Sequence, residues 1–190
     1  MLVSCRLCLR GVVINLIFTS FSSAVSAQPD LNPLQKAKLE KAIAKLSELS
    51  QMRENLAASI DPRQEITKQT FAQTCMPVGK ALKAWSESQG YQVKQISEKY
   101  RNSSHKPAAR DIDALKVFAN QQDKREITRI SDDGSLTLYH RIDTVASCLH
   151  CHGEKDKRPQ FVKDNYPHDK AFGFEPGQLR GAFVVSIPNR

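Results

Sequence analysis

The chain has 190 residues with a formal net charge of +8, and 40% of its residues are hydrophobic and 25% charged. This composition is ordinary for a globular protein of one domain, or of one domain with a helical extension. Lysines and arginines are interspersed with acidic residues and form no basic block, which argues against nucleic-acid binding and indicates a solvated surface. A basic face that attracts an acidic redox partner is the alternative interpretation.

The N-terminus has the pattern of a secretory signal peptide over residues 1–27. Arg6 and Arg10 precede a short apolar stretch, and small residues ending at Ala27 form a cleavage site. We therefore expect export, a periplasmic location and a mature chain of charge +6 that does not span the membrane, since cleavage removes two arginines. An uncleaved membrane anchor is the alternative, although the apolar stretch is short and interrupted by Asn15.

Cleavage also leaves an odd number of cysteines. Cys5 and Cys8 leave with the signal peptide, and the mature chain keeps Cys75, Cys148 and Cys151. Cys148 and Cys151 belong to one motif, so Cys75 is a lone thiol. A lone thiol in an oxidising compartment invites unwanted disulfides and calls for an explanation.

The first element predicted in the mature chain is a helix over residues 33–58. Apolar residues recur at spacings of three and four, at Leu39, Ile43, Leu46, Leu49, Met52 and Leu56. Asp30 or Asn32 is suited to cap this helix, and Pro33 suits its first position. We expect its apolar face to pack on the body of the protein, and pairing of two copies in a homodimer is the alternative.

A second helical pattern follows the break at Asp61-Pro62. Its apolar face is formed by Ile66, Phe71, Cys75, Val78, Leu82 and Trp85. Pro77 lies inside this pattern and removes a backbone hydrogen bond, which predicts a kink or break near Cys75. Gly90 is expected to end the segment.

The rest of the chain predicts an antiparallel sheet. Its expected elements are a strand at 91–95, a helix over 108–122, strands at 124–130 and 135–142 joined by a hairpin at Asp133-Gly134, and a strand at 181–187. Residues 148–177 are rich in Gly, Pro and charge and are predicted to be mostly loop. The order of elements predicts an α+β domain over residues 61–190, with residues 28–60 as an N-terminal helix.

Cys148-Leu149-His150-Cys151-His152 is a C-x-x-C-H motif for covalent haem attachment. The two thiols are spaced to add to the two vinyl groups of one haem, and His152 then becomes the first axial ligand. A zinc site would need four ligands, and a thioredoxin-like motif would need a βαβ context, and neither is found. One motif predicts one haem c.

The residues alone leave the second axial ligand open. Cys75 is the preferred candidate because ligation would explain its survival as an unpaired thiol, but free cysteine also packs as a core residue. Met76 is adjacent on the predicted helix and would point elsewhere, and Met52 is assigned to the core. Arg180 and Arg141 are candidate partners of the haem propionates.

The other histidines are not expected to bind iron. His105 is assigned to a solvated polar loop and His140 to a half-exposed strand position. His150, between the two cysteines, is expected to face away from the iron. His168 is assigned to an exposed loop, with a place near the haem edge as the alternative.

Taken together, these residues resemble a known family, over about residues 60–188. The residues that carry the resemblance are Cys75-Met76-Pro77, Gly90-Tyr91, Cys148 to Gly153, Tyr166-Pro167-His168-Asp169, Gly173-Phe174 and Gly177-Gln178-Leu179-Arg180-Gly181-Ala182. The family consists of small monohaem c-type cytochromes with a PAS-like haem domain, found in cyanobacteria and proteobacteria and long catalogued as a domain of unknown function.

The resemblance implies a PAS-like antiparallel sheet with flanking helices and an N-terminal helical extension. It also implies His and Cys as axial ligands, with Cys75 at the position of the family's cysteine. The implied function is redox or gas sensing through a separate redox or signalling partner, with a low-potential electron carrier as the alternative. An enzyme is not expected, because two protein ligands leave no open position on the iron.

Overall fold

The computed structural model describes residues 31–189. The predicted signal peptide, with Cys5 and Cys8, lies outside the described residues. In the described part the elements are α1 (Pro33–Ala58), α2 (Lys68–Thr74), α3 (Met76–Gln89), β1 (Gln92–Ile96), α4 (Ala109–Asn120), β2 (Glu126–Ile130), β3 (Leu136–Asp143), α5 (Leu149–His152), α6 (Gln160–Asn165) and β4 (Leu179–Ile187). Short 3₁₀ turns occupy Ser103–His105 and Ala146–Cys148. None of the helices between residues 31 and 189 has the length and apolarity to cross a bilayer.

The four strands form one open antiparallel sheet in the order β1-β4-β3-β2. The C-terminal strand β4 therefore lies in the middle, between β1 and β3. The register between β3 and β4 shifts between Ile142 and Asp143. Helices flank this sheet, which confirms the predicted α+β class and is consistent with a PAS-like fold.

The alternation of side chains along the strands divides the core into two parts. On one face of the sheet, Leu138 and Val185 pack with Leu46 and Leu49 of α1 and with residues of α3. On the other face, Tyr139 and Val184 pack with Leu115 and Phe118 of α4. The sheet is thus covered by α1 and α3 on one side and by α4 on the other.

Helix α1 begins and ends where its sequence predicts. The Asn32 side chain accepts a hydrogen bond from the Gln35 backbone at 2.8 Å, and the Gln35 side chain accepts one from the Asn32 backbone at 3.0 Å. Pro33 occupies the first turn, where its missing N–H is not needed. The helix packs on the body of the protein, as expected, and its buried residues belong to the core next to the sheet.

The break predicted near Cys75 is present, and Cys75 is both the C-cap of α2 and the residue that precedes α3. Pro77 lies in the first turn of α3, where its missing N–H is not needed, so it helps to begin α3 and does not kink a continuous helix. Gly90 ends α3 in the left-handed conformation, with φ of 65°. The neighbouring Met76 is 42% exposed and points away from the interior.

One sequence-based expectation about the sheet was wrong. His140 was assigned to a half-exposed position but is 3% exposed, because it lies on the face of β3 that α1 covers. Residues 148–177 are mostly loop, as expected, and the short helices α5 and α6 within them were not predicted. Helices of four and six residues show too few turns to produce a recognisable apolar period.

Candidate functional site

A cavity of about 730 Å³ lies between the helices and the sheet, within the range of roughly 300–1,000 Å³ typical of ligand pockets. Its walls come from the end of α1, from α2, α3 and β1, and from the chain around α5. It brings together all five residues that the sequence marked as binding residues, Cys75, Cys148, Cys151, His152 and Arg180. The other four positions are all more than 70 residues away from Cys75 along the chain.

The C-x-x-C-H segment is folded as a tight helical turn. Cys148 ends the 3₁₀ turn Ala146–Cys148, and α5 follows at once, so that Cys151 lies one turn further on the same side. His150, which was expected to face away, lines a separate groove. Gly153 follows directly, where a Cβ would lie 2.7 Å from the Leu149 carbonyl oxygen, so no other residue fits without a shift.

His152 is held with one ring nitrogen engaged and the other free. Its Nδ1 lies 2.7 Å from the Ala171 carbonyl oxygen, to which it donates a hydrogen bond. The second ring nitrogen, Nε2, is therefore the unprotonated one in the neutral ring. Burial, and then the nearby guanidiniums of Arg180 and Arg101, hold the pKa of His152 well below its usual value. A neutral imidazole that donates Nδ1–H to a carbonyl is the form in which histidine ligates metals.

Cys75 lies on another wall of the same cavity, at the junction of α2 and α3. Much of its surface is accessible, but that surface faces the cavity, and protein surrounds the thiol closely enough to affect its ionisation. Desolvation raises the pKa of Cys75, and contact with the Thr74 hydroxyl at 3.8 Å and the charge of Arg101 oppose this effect. In the protein alone Cys75 is thus a neutral thiol that faces the cavity.

Three arginines also line the cavity, Arg53, Arg101 and Arg180. Arg101 is paired with Asp169 at 3.3 Å. Arg180 instead donates to the Ser97 hydroxyl at 2.8 Å and to the Lys99 carbonyl at 3.1 Å, and no ion pair of Arg180 is found within the described residues. Burial, and then the charges of Arg101 and Arg53, lower the pKa of Arg180 to about 10, although the charge of Asp169 opposes them.

Arg53 is the second guanidinium without a hydrogen-bonded carboxylate. It donates to the Asp143 carbonyl at 2.9 Å, its Nε is buried without a hydrogen-bond partner, and Glu54 lies 3.6 Å away. Buried charges are costly unless they are paired. The cavity therefore has an excess of positive charge that would stabilise carboxylates of a bound molecule.

Of the remaining candidate residues, one lines the cavity and the other two lie outside its wall. Arg141 lies outside the cavity wall, because it turns toward α4 and donates to the Phe118 carbonyl and to Asp143 Oδ1. His105 was assigned to a solvated loop, but it is half-buried on the cavity wall and burial lowers its pKa. His168 is exposed, as expected.

Arg53, Arg101 and the Ala171 carbonyl were not predicted from the sequence. Arg53 belongs to a helical pattern whose apolar face was expected only to pack, and Arg101 follows β1 with no motif around it. A backbone carbonyl leaves no trace in the sequence. Only the Tyr166–Asp169 segment, singled out through the family resemblance, pointed to the neighbourhood of Ala171.

The donor set of the cavity fits a covalently attached haem. Two thiols one turn apart are followed directly by an imidazole with a free Nε2, a third thiol lies on another wall, and buried guanidiniums suit the two propionates. Across residues 31–189, no three His, Cys, Asp or Glu side chains converge as a site for a bare metal ion.

Comparison with known proteins gives a consistent result. The model of the Tll0287-like family matches residues 31–188. A solved structure, that of the cyanobacterial haem protein Tll0287, is 40% identical with a TM-score of 0.74, and the match covers 84% of this chain and 98% of that chain. Curated proteins give no significant match.

Proposed function

The chain belongs to the Tll0287-like family and is a haem-binding protein, and from this premise we propose that it is a periplasmic c-type haem protein with His/Cys ligation that acts as a redox or gas sensor. The proposal includes one haem, since residues 31–189 contain one C-x-x-C-H motif. A redox or signalling protein of the same compartment would receive the signal.

Five side chains have assigned roles in this proposal, and the two motif cysteines share one of them. The thiols of Cys148 and Cys151 add to the vinyl groups, and His152 ligates the iron through Nε2. The Cys75 sulfur is the second axial ligand, and it would bind as the thiolate because coordination lowers the pKa of a thiol. Arg180 would hold a propionate, and its burial without a carboxylate partner in the described part supports this role.

When bound, haem supplies a one-electron Fe(III)/Fe(II) couple. A thiolate ligand donates electron density and favours the ferric state, so Cys75 would give this couple a low potential. Cys75 lies between α2 and α3, so both helices would respond to the loss of its bond to iron. This position favours a sensor, and a low-potential electron carrier remains the alternative.

A single observation carries the proposal. The hydrogen bond from His152 Nδ1 to the Ala171 carbonyl, 2.7 Å long, leaves Nε2 free in the cavity that Cys75, Cys148 and Cys151 also line. Cys148 and Cys151 were identified by a local motif, and Cys75 was identified because it is unpaired in the expected mature chain. Their presence in one cavity supports one shared ligand.

The first test uses the full chain expressed with a functional cytochrome-maturation system. We expect haem that stays on the chain in a denaturing gel and is lost when Cys148 and Cys151 are both replaced by alanine. Mass spectrometry of the periplasmic fraction should find cleavage after Ala27. A colourless, exported wild-type protein would refute covalent haem attachment.

The second test addresses Cys75. The Cys75→Ser variant should change the ferric optical and electron paramagnetic resonance (EPR) spectra, because a thiolate ligand is lost. Met76→Leu is the matched control, since Met76 is adjacent and 42% exposed, and it should leave the spectra unchanged. Identical spectra for Cys75→Ser and the wild type would exclude Cys75 as a ligand.

Two measurements on the wild-type holoprotein distinguish a sensor from an electron carrier. Rapid binding of CO to the reduced protein is expected of a sensor, because it requires an iron position that opens on reduction. Unchanged ligation in both oxidation states, together with fast electron exchange, would identify a carrier instead.

A further inference from the structure

We infer that Asp169 is the residue that positions the axial histidine, by fixing the backbone whose carbonyl accepts the His152 hydrogen bond. The inference rests on the proposed function, in which His152 ligates the haem iron. Asp169 belongs to the segment after α6, and nothing in its local sequence assigns it a role beyond the family resemblance.

Asp169 is a buried carboxylate with both oxygens engaged. Its side chain is 0% exposed. Oδ1 accepts hydrogen bonds from the Ala171 backbone N–H at 2.9 Å and from Arg101 Nε at 3.3 Å, and Oδ2 accepts one from Arg158 Nη1 at 2.8 Å. This arrangement satisfies a charge that would otherwise be too costly to bury.

Asp169 is connected to His152 in two ways, through the acceptor of the imidazole hydrogen bond and through the backbone that precedes His152. The Ala171 residue whose N–H is held by Asp169 is the one whose carbonyl accepts from His152 Nδ1 at 2.7 Å. Arg101, held by the same carboxylate, donates through Nη2 to the Cys151 carbonyl at 2.7 Å, immediately before the histidine. Asp169 therefore fixes the position of the carbonyl that accepts the imidazole hydrogen bond and, through Arg101, of the backbone next to His152.

Two further backbone bonds close the same unit. Phe174 N–H donates to the His152 carbonyl at 3.1 Å, and Gly173 N–H donates to the Gly153 carbonyl at 2.6 Å. These bonds connect the segment that contains His152 to the segment that contains Ala171. Asp169 lies at the start of the second segment. A shift of this carboxylate would change the length of the bond to Nδ1.

The bond to Nδ1 affects the iron as well as the ring orientation. Hydrogen bonding at Nδ1 increases the basicity of the imidazole toward a metal and so favours the ferric state. Replacing Asp169 by asparagine loosens this bond and removes a negative charge near the site. Both effects raise the reduction potential, so their signs agree.

A merely structural carboxylate is available as a matched control on the opposite face of the sheet. Asp111 in α4 has a side chain that is 1% exposed and pairs with Lys94 at 2.5 Å. It also accepts from the Ala108 backbone N–H at 3.0 Å and from the Tyr139 hydroxyl at 3.1 Å. It matches Asp169 in burial and bonding but lies on the side of the sheet away from the cavity.

The test compares Asp169→Asn and Asp111→Asn in the full-length holoprotein. Both should lower the thermal midpoint. Only Asp169→Asn should favour reduction, by about tenfold in the equilibrium constant, which corresponds to about 59 mV for one electron, and should change the ferric EPR signal. Should Asp169→Asn fail to accumulate with haem, Asp169→Glu moves the carboxylate by one methylene and should shift the potential in the same direction.

Two outcomes would overturn the inference. One is a coloured Asp169→Asn protein (or Asp169→Glu in its place) with wild-type potential and EPR signal, and the other is an equal shift in Asp111→Asn. Both leave the proposed function intact. A wild-type protein without haem would refute the proposed function itself, and the inference with it.

Discussion

His152 and His140 are both enclosed by protein, but their hydrogen bonds differ. His152 Nδ1 donates to a carbonyl at 2.7 Å, whereas His140 Nδ1 is buried with no hydrogen-bond partner in the described part of the chain. Glu126 Oε1 lies 3.3 Å from His140 Nδ1, but not in hydrogen-bond alignment. Burial lowers the pKa of His140 to about 4, since little compensates the lost hydration of the charged ring.

This depressed pKa predicts a loss of stability in mild acid. The unfolded chain takes up the proton at a pKa near 6.5 and the folded chain only near 4, so the free energy of unfolding falls as the pH drops between these values. A shift of this size corresponds to about 3 kcal/mol. The groups that influence His140 are Arg125, Arg53, Asp143 and Glu126.

Denaturant unfolding at pH 7.5 and 4.5 tests the prediction. The His140→Gln variant should lose about 2–3 kcal/mol less than the wild type between these pH values. His168→Gln, at an exposed position, is the control and should behave as the wild type. Glu126 acts in the opposite direction, because burial raises its pKa and the folded chain gains a proton there earlier, and Glu126→Gln removes that contribution. Equal losses in His140→Gln and the wild type would contradict the assignment.

Helix α1 is an integral part of the core and of the cavity wall. Leu46 and Leu49 are 0% exposed, and the same helix carries Arg53 to the cavity. Removing a buried leucine side chain typically costs 2–5 kcal/mol, whereas an exposed one contributes little. The docking of α1 therefore stabilises the site as well as the fold.

We expect Leu49→Ala to lower the free energy of unfolding by about 3 kcal/mol. Leu34→Ala in the first turn of the same helix should change it by less than about 0.5 kcal/mol, because Leu34 is 61% exposed. Urea titration of both holoproteins gives the comparison. Similar small losses for the two variants would mean that α1 is a detachable extension.

Prediction from the sequence succeeded where the signal is local. Asn32 and Pro33 specify the start of α1, and Pro77 and Gly90 specify the limits of α3, because caps and prolines act within one turn. The site was foreseen only where a motif or a lone thiol marked it. Arg53, Arg101 and His105 reach the cavity through tertiary packing, which no neighbouring residue in the sequence reveals.

The whole molecule is organised around a cavity that both layers share. The wall on one side comes from α1 and α3 and on the other from β1 and β4, with Phe183 contributed by the central strand. A molecule held there contacts both layers at once. Binding to the folded state alone stabilises that state by mass action. A covalently attached molecule stabilises it through the contacts that it makes only in the folded chain.

The haem-free chain should therefore unfold at a lower temperature than the holoprotein. We expect the midpoint of the Cys148→Ala/Cys151→Ala variant to fall by about 10 °C, which for a domain of this size corresponds to roughly 3–5 kcal/mol. The wild-type chain produced without the maturation system is the control, because it lacks haem but keeps both cysteines. If both haem-free proteins melt together and below the holoprotein, the cofactor joins the two layers. Equal midpoints for the three proteins would show that the two layers hold together without the cofactor. A change in ligation at Cys75 would then have no means of altering the packing of α2 and α3 on the sheet.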